Sequence, residues 1–144
     1  MLNKILKTDC TYTTLLIRLM VGAVFLSEEI QKFLFPAIRG AGRFEKIGLP
    51  SPELLGTLVG TTEIIAGLLI LLGLFTRLAA MPLIIIMIVA ITTTKFDILI
   101  NQGIWEMLHA MRTDWSMLLG SLFLLIRGVG FGSLDKILTK KNAQ

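Results

Sequence analysis

The chain holds a single cysteine, Cys10. An internal disulfide and a C-x-x-C redox pair are therefore both excluded, and dithiol exchange within the chain with them. Histidine is as scarce, with only His109. A bis-histidine haem within one chain is impossible, and a metal at His109 would need partners that the sequence does not place beside it. No metal or haem is expected. No glycine-rich phosphate loop or dinucleotide fingerprint follows a strand-like run. Charge is thin too: 17% of residues are charged and 54% are hydrophobic, against roughly 25% and 45–50% in soluble domains. The formal net charge is +4, yet no basic run with interleaved aromatics points to nucleic acid. The excess belongs to loops that face anionic lipid and the cytoplasm.

What the chain has instead is long apolar runs, and a mean hydropathy of +0.79. The run from Glu53 to Phe75 can cross a hydrocarbon core of about 30 Å as a helix, which takes ~20 apolar residues. Glu63 sits near its middle. At ~100° per residue, Gly56, Gly60, Glu63 and Gly67 fall in one narrow stripe, and leucine, isoleucine and valine largely fill the rest. Small residues on one face admit a neighbouring helix closely. A carboxylate at that depth costs at least ~2.5–3.5 kcal/mol unless protonated or paired, so Glu63 should face the interior of a bundle.

An earlier apolar run, 13–34, carries Arg18, Glu28, Glu29 and Lys32. With Arg18 at zero, Gly22 lies at roughly +40°, Glu29 at roughly +20° and Lys32 at roughly −40°. These four form one inward-facing stripe with Glu28 at its edge, and Glu28 and Lys32 stand in the favourable i,i+4 order for pairing. Lys4 and Lys7 precede this run, but Val24-Phe25-Leu26-Ser27-Glu28 offers no signal-peptidase site. It reads as an uncleaved first span, ended by Pro36.

Gly73, Thr76 and Arg77 make a short link into a third span, 77–94, and a link that short forces antiparallel neighbours. From Lys95 to Thr113 the apolar pattern weakens, which suggests a lid or short interfacial helix with Trp105 at headgroup level. A fourth span follows over 114–131. The expected architecture is all-α: one domain over 1–144, a four-transmembrane-helix bundle with spans at 13–34, 53–75, 77–94 and 114–131. Four spans put both termini on one side. Lys4, Lys7, Arg77, Lys136, Lys140 and Lys141 lie there, against Arg39, Arg43, Lys46, Lys95 and Arg112 opposite, so the positive-inside rule favours cytoplasmic termini in the cell membrane.

Several segments together resemble the DoxX family of small four-helix membrane proteins. They are Arg18-Leu19-x-x-Gly22-x-x-Phe25 leading to Lys32, the loop Ile47-Gly48-Leu49-Pro50, Glu63-x-x-x-Gly67 leading to Gly73-x-x-Thr76-Arg77, and Gly128-x-Gly130-x-x-Ser133-Leu134-Asp135. The resemblance runs from about Leu16 to Asp135, and Glu29 stands where the family usually has glycine. It implies a membrane bundle that works beside redox proteins, such as the membrane subunit that acts with thiosulfate:quinone oxidoreductase. Three functional readings result. The first is a redox-associated subunit that binds a quinone-like or other small lipophilic or anionic ligand, or docks a soluble or membrane oxidoreductase, through a polar pocket of Arg18, Glu29, Lys32 and Glu63 with Glu28 beside it. The second is a proton-coupled transporter with Glu63 as its switch, for which a homodimer would be expected. The third is a membrane scaffold whose buried charges only specify packing.

Overall fold

The computed structural model describes residues 12–36, 41–46, 48, 50–128 and 130–135. Cys10, the loop residues Arg39, Ile47 and Leu49, and the terminal lysines Lys4, Lys7, Lys136, Lys140 and Lys141 lie outside them, and with them most of the charges on which the orientation rests. The described residues are helical, without a strand among them. In chain order the helices are α1 (Tyr12–Leu34), α2 (Ala41–Lys46), α3 (Pro52–Leu72), α4 (Thr76–Gln102), α5 (Ile104–Ala110) and α6 (Arg112–Arg127).

Local chemistry sets the boundaries. Pro52 occupies the first position of α3, where its missing N–H costs nothing, and Glu53 lies in the first turn, where the helix dipole favours an acid. At the other end Gly73 adopts φ 66°. Its N–H bonds the Ile70 carbonyl at 3.1 Å and the Leu74 N–H bonds the Leu69 carbonyl at 2.9 Å, the paired bonds of a Schellman cap. The chain then turns at once into α4. Pro82 is inside this helix, so the carbonyl one turn earlier loses its usual donor.

The third expected span, α4, corrects the sequence expectation in length. It does not stop at Thr94 but continues to Gln102, and Gly103, at φ 91°, ends it. Lys95 and Asp97 mark a change in surroundings, not a break in backbone hydrogen bonding, and no glycine or proline stands between Thr94 and Gly103. Of the lid or short interfacial helix expected from Lys95 to Thr113, the structure has the short helix α5, none of whose residues is buried.

The long helices pack in a closed ring: α1 on α3, α3 on α4, α4 on α6, and α6 back on α1. Val21, Phe25, Ala66, Ile70, Ala80 and Leu83 are among the residues filling its centre. Glycine makes the tightest contact possible. A Cβ on Gly22 would sit 2.6 Å from Leu71 Cγ, and one on Gly67 would sit 3.3 Å from the Gly22 carbonyl oxygen. The outside is as apolar as the inside. Leu54, Leu58, Ile85, Ile100 and Ile126 are each more than half exposed, and large apolar surfaces of this kind mark an interaction or membrane face. Among the described residues, α3 and α4 are the two helices that qualify by length and apolarity to cross a membrane. The charges of α1 and the 16 residues of α6, about 24 Å at 1.5 Å per residue, set those helices apart.

The segment after α6 folds back over the α3–α4 turn. Asp135 accepts hydrogen bonds from the backbone N–H groups of Phe75 (2.7 Å) and Thr76 (3.4 Å), and its own N–H bonds the Gly73 carbonyl at 3.0 Å. Phe75 is held at φ 48°, a left-handed conformation that costs a non-glycine residue energy. Burial pushes the Asp135 carboxyl above the usual aspartate range, against the opposite pull of the two N–H donors. A raised value means that the folded state binds this proton more tightly than the unfolded chain. The contribution of Asp135 is therefore greatest at low pH and declines as pH rises through the raised value. Asp135→Ala leaves both N–H groups without their acceptor, and should cost about 1–3 kcal/mol, read as a lower unfolding midpoint in detergent.

Candidate functional site

Glu29 and Lys32 lie one turn apart on the inner face of α1, and Glu63 faces them from the middle of α3. Lys32 Nζ reaches Glu63 Oε2 at 2.8 Å and also pairs with Glu29 Oε1. Both carboxylates are about 1% exposed, whereas Lys32 keeps 21% of its side chain accessible. The helices can approach here because Gly60 has no side chain. A Cβ at that position would lie 3.0 Å from Glu29 Oε2, an oxygen that takes no hydrogen bond among the described residues. Two acids thus share one ammonium, and the ammonium is the member nearest to open space.

That space is a cavity of about 360 Å³ between the helices, within the range of small-molecule pockets. Glu28, Glu29, Lys32 and Glu63 form one wall. Most of the remainder is apolar, including Phe25, Val59, Ile86 and Met117. Ile85 and Val89 also line it and are 62% and 48% exposed, so its apolar wall grades into the lipid-like exterior. Phe44 of α2 covers one side.

The opposite wall carries polar groups from α4 and α6: Thr93, Thr94, Thr113 and Asp114. The Thr93 hydroxyl donates to the Val89 carbonyl at 2.7 Å and the Thr94 hydroxyl to the Ala90 carbonyl at 2.6 Å, the return bonds expected of threonine inside a helix. Asp114 Oδ2 pairs with Lys95 Nζ at 3.1 Å. A head group could therefore lie between two ion-paired walls with its apolar part against α4. Among the described residues, no side-chain arrangement lining the cavity is that of an activated nucleophile.

Comparison with known proteins bears on this arrangement. The DoxX family profile matches residues 13–96. The chain belongs to the DoxX family. An "Uncharacterized membrane protein Rv3486" of Mycobacterium tuberculosis (strain ATCC 25618 / H37Rv) is 49% identical over 144 residues, covering 96% of this chain and 88% of that protein. A Bacillus subtilis (strain 168) protein named "Putative oxidoreductase CatD" is 30% identical over 128 residues, covering 88% of this chain and 87% of that protein. No solved structure matches. The DoxX segment contains Glu29, Lys32 and Glu63, whereas Thr113, Asp114 and Met117 lie beyond its end.

In this DoxX chain the residues grouped from the sequence separate into two places. Glu29, Lys32 and Glu63 come together. Arg18 does not join them: its Nη1 and Nη2 donate to the carbonyls of Phe131 and Gly132, each at 3.3 Å. Eleven residues separate Arg18 from Glu29, about 16 Å along the helix axis, so a shared face does not make a shared site. Glu28 lines the cavity but is exposed. The ion pair expected between Glu28 and Lys32 gives way to pairs with Glu29 and Glu63, because the ammonium turns toward two acids that have little water. Sequence reasoning missed the Lys95–Asp114 pair and the threonine wall. The run Thr92-Thr93-Thr94 ahead of Lys95 was their one signal.

Proposed function

We propose that this DoxX protein is a multi-pass membrane subunit, with α1, α3, α4 and α6 as its spans and its termini in the cytoplasm. In this reading it binds a small lipophilic ligand of the quinone type in the cavity between the helices, in association with an oxidoreductase. The observation that carries the reading is the pairing of an apolar cavity with an ammonium at its wall. Two carboxylates occupy two of the three protons of Lys32, and the third is free to meet a ligand oxygen. A buried charge network that served packing alone would have no reason to adjoin a cavity of ligand size. The oxidoreductase association is supported by the name of the Bacillus subtilis relative.

Glu63→Gln tests it. The amide keeps the shape of the side chain but weakens its hold on Lys32. The variant should fold in detergent and bind a short-chain quinone at least about tenfold more weakly, a loss equivalent to ~1.4 kcal/mol. Unchanged binding by a well-expressed variant would remove the cluster from the site.

A further inference from the structure

The walls of the cavity are unequal in what they offer a head group. Thr93 and Thr94 have given their hydroxyl protons to Val89 and Ala90, so each oxygen can only accept. Glu28, Glu63 and Asp114 are acceptors when ionised. Against these stand one remaining proton on Lys32 and the hydroxyl of Thr113. Among the described residues, acceptors therefore dominate the polar lining, and they occupy both walls.

From this imbalance we infer that the cavity selects hydroxyl-bearing head groups, so that a hydroquinone or similar phenolic amphiphile binds in preference to the corresponding dione. The inference rests on the cavity being a ligand site, as proposed above. A phenolic O–H donates to the threonine or carboxylate oxygens of the α4–α6 wall, and its oxygen can still accept from Lys32. A dione satisfies Lys32 at one end, but at the other it meets a wall on which the Thr113 hydroxyl is the one donor against the oxygens of Thr93, Thr94 and Asp114. Each such mismatch leaves both partners without a hydrogen bond wherever the bound ligand displaces water. The preference concerns binding alone; no electron transfer within the chain is implied. A tenfold preference for the reduced form would raise the midpoint potential of the bound couple by about 30 mV, the two-electron equivalent of a factor of ten.

The test uses the full chain purified in detergent and three probes under anaerobic conditions: 2-decylhydroquinone, 2-decyl-1,4-benzoquinone and the dimethyl ether of the hydroquinone. Equilibrium binding should rank the hydroquinone first, at least about tenfold tighter than the other two. Thr94→Val removes one acceptor and keeps the shape. It should reduce the hydroquinone's advantage over the ether several-fold, a ratio that a general loosening of the fold would not move. If the dione binds as tightly as the hydroquinone, the selectivity is refuted while the ligand site stands. Failure of all three probes to bind would overturn the ligand site and the selectivity together.

Discussion

Lys32→Met should be among the most destabilising single changes in the chain. The substitution keeps the length of the side chain and removes the one cation that Glu29 and Glu63 share. Two carboxylates, each about 1% exposed, would then face one another with no opposite charge. Removing one partner of a buried ion pair typically costs about 3–5 kcal/mol, because the charge left behind stays out of water without compensation. The unfolding midpoint in detergent should fall accordingly. The triple variant Lys32→Met, Glu29→Gln, Glu63→Gln should recover much of the loss, since amides carry no charge to strand. Recovery in the triple variant separates charge imbalance from poor packing of the methionine. If Lys32→Met melted like the parent, the cluster would not be a buried charge network at all.

The same cluster shows what helical periodicity can and cannot convey. Angular position follows from ~100° per residue, so Glu29 and Lys32 could be assigned to one face of α1 and Glu63 to the glycine face of α3. Height along the axis is a separate coordinate. Arg18 shares the azimuth of Glu29, yet it stands about 16 Å away and anchors the segment after α6 through Phe131 and Gly132. Only the antiparallel register of α1 and α3, set by Gly22 against Gly67 and Glu29 against Gly60, decides which charges meet. A sequence without a partner helix in view does not contain that register.

Hydropathy has a matching limit on the far wall. The drop in apolar character after Thr94 reports a change of surroundings, whereas helix formation depends on backbone geometry. Nothing between Lys95 and Gln102 opposes a helix, so α4 runs on to Gly103 and brings Lys95 within 3.1 Å of Asp114. Treating polarity as the end of the helix hides that pair, and with it the polar wall opposite Lys32. The composition and the family motifs were more informative about class than about site. They pointed to an all-helical membrane protein of the DoxX family, as the matching segment shows, while the cavity depends on residues of α6 that lie outside that segment.

Gly22→Val should damage both packing and ligand binding, from a position that does not itself line the cavity. A Cβ there meets Leu71 Cγ at 2.6 Å and Cδ2 at 2.9 Å, and the Gly67 carbonyl oxygen at 3.1 Å. Even Gly22→Ala forces a shift, because Leu71 Cγ is a branch point beside its own backbone and the Gly67 oxygen belongs to the α3 main chain, so alanine should already lower the unfolding midpoint. Valine adds two γ-carbons on a stiff rotamer at a point where the neighbouring α3 backbone cannot withdraw without moving the whole helix. Overpacking of this kind costs about 1–3 kcal/mol. The geometric consequence is larger. Separating α1 from α3 at Gly22 also separates Glu29 from Gly60 and stretches the 2.8 Å contact between Lys32 and Glu63, because all three contacts lie along one helix pair. The valine variant should therefore lose quinone-type binding together with thermal stability, and the alanine variant should lose less of each. A valine variant that melts early but binds normally would show that the cluster does not depend on the close approach of these two helices.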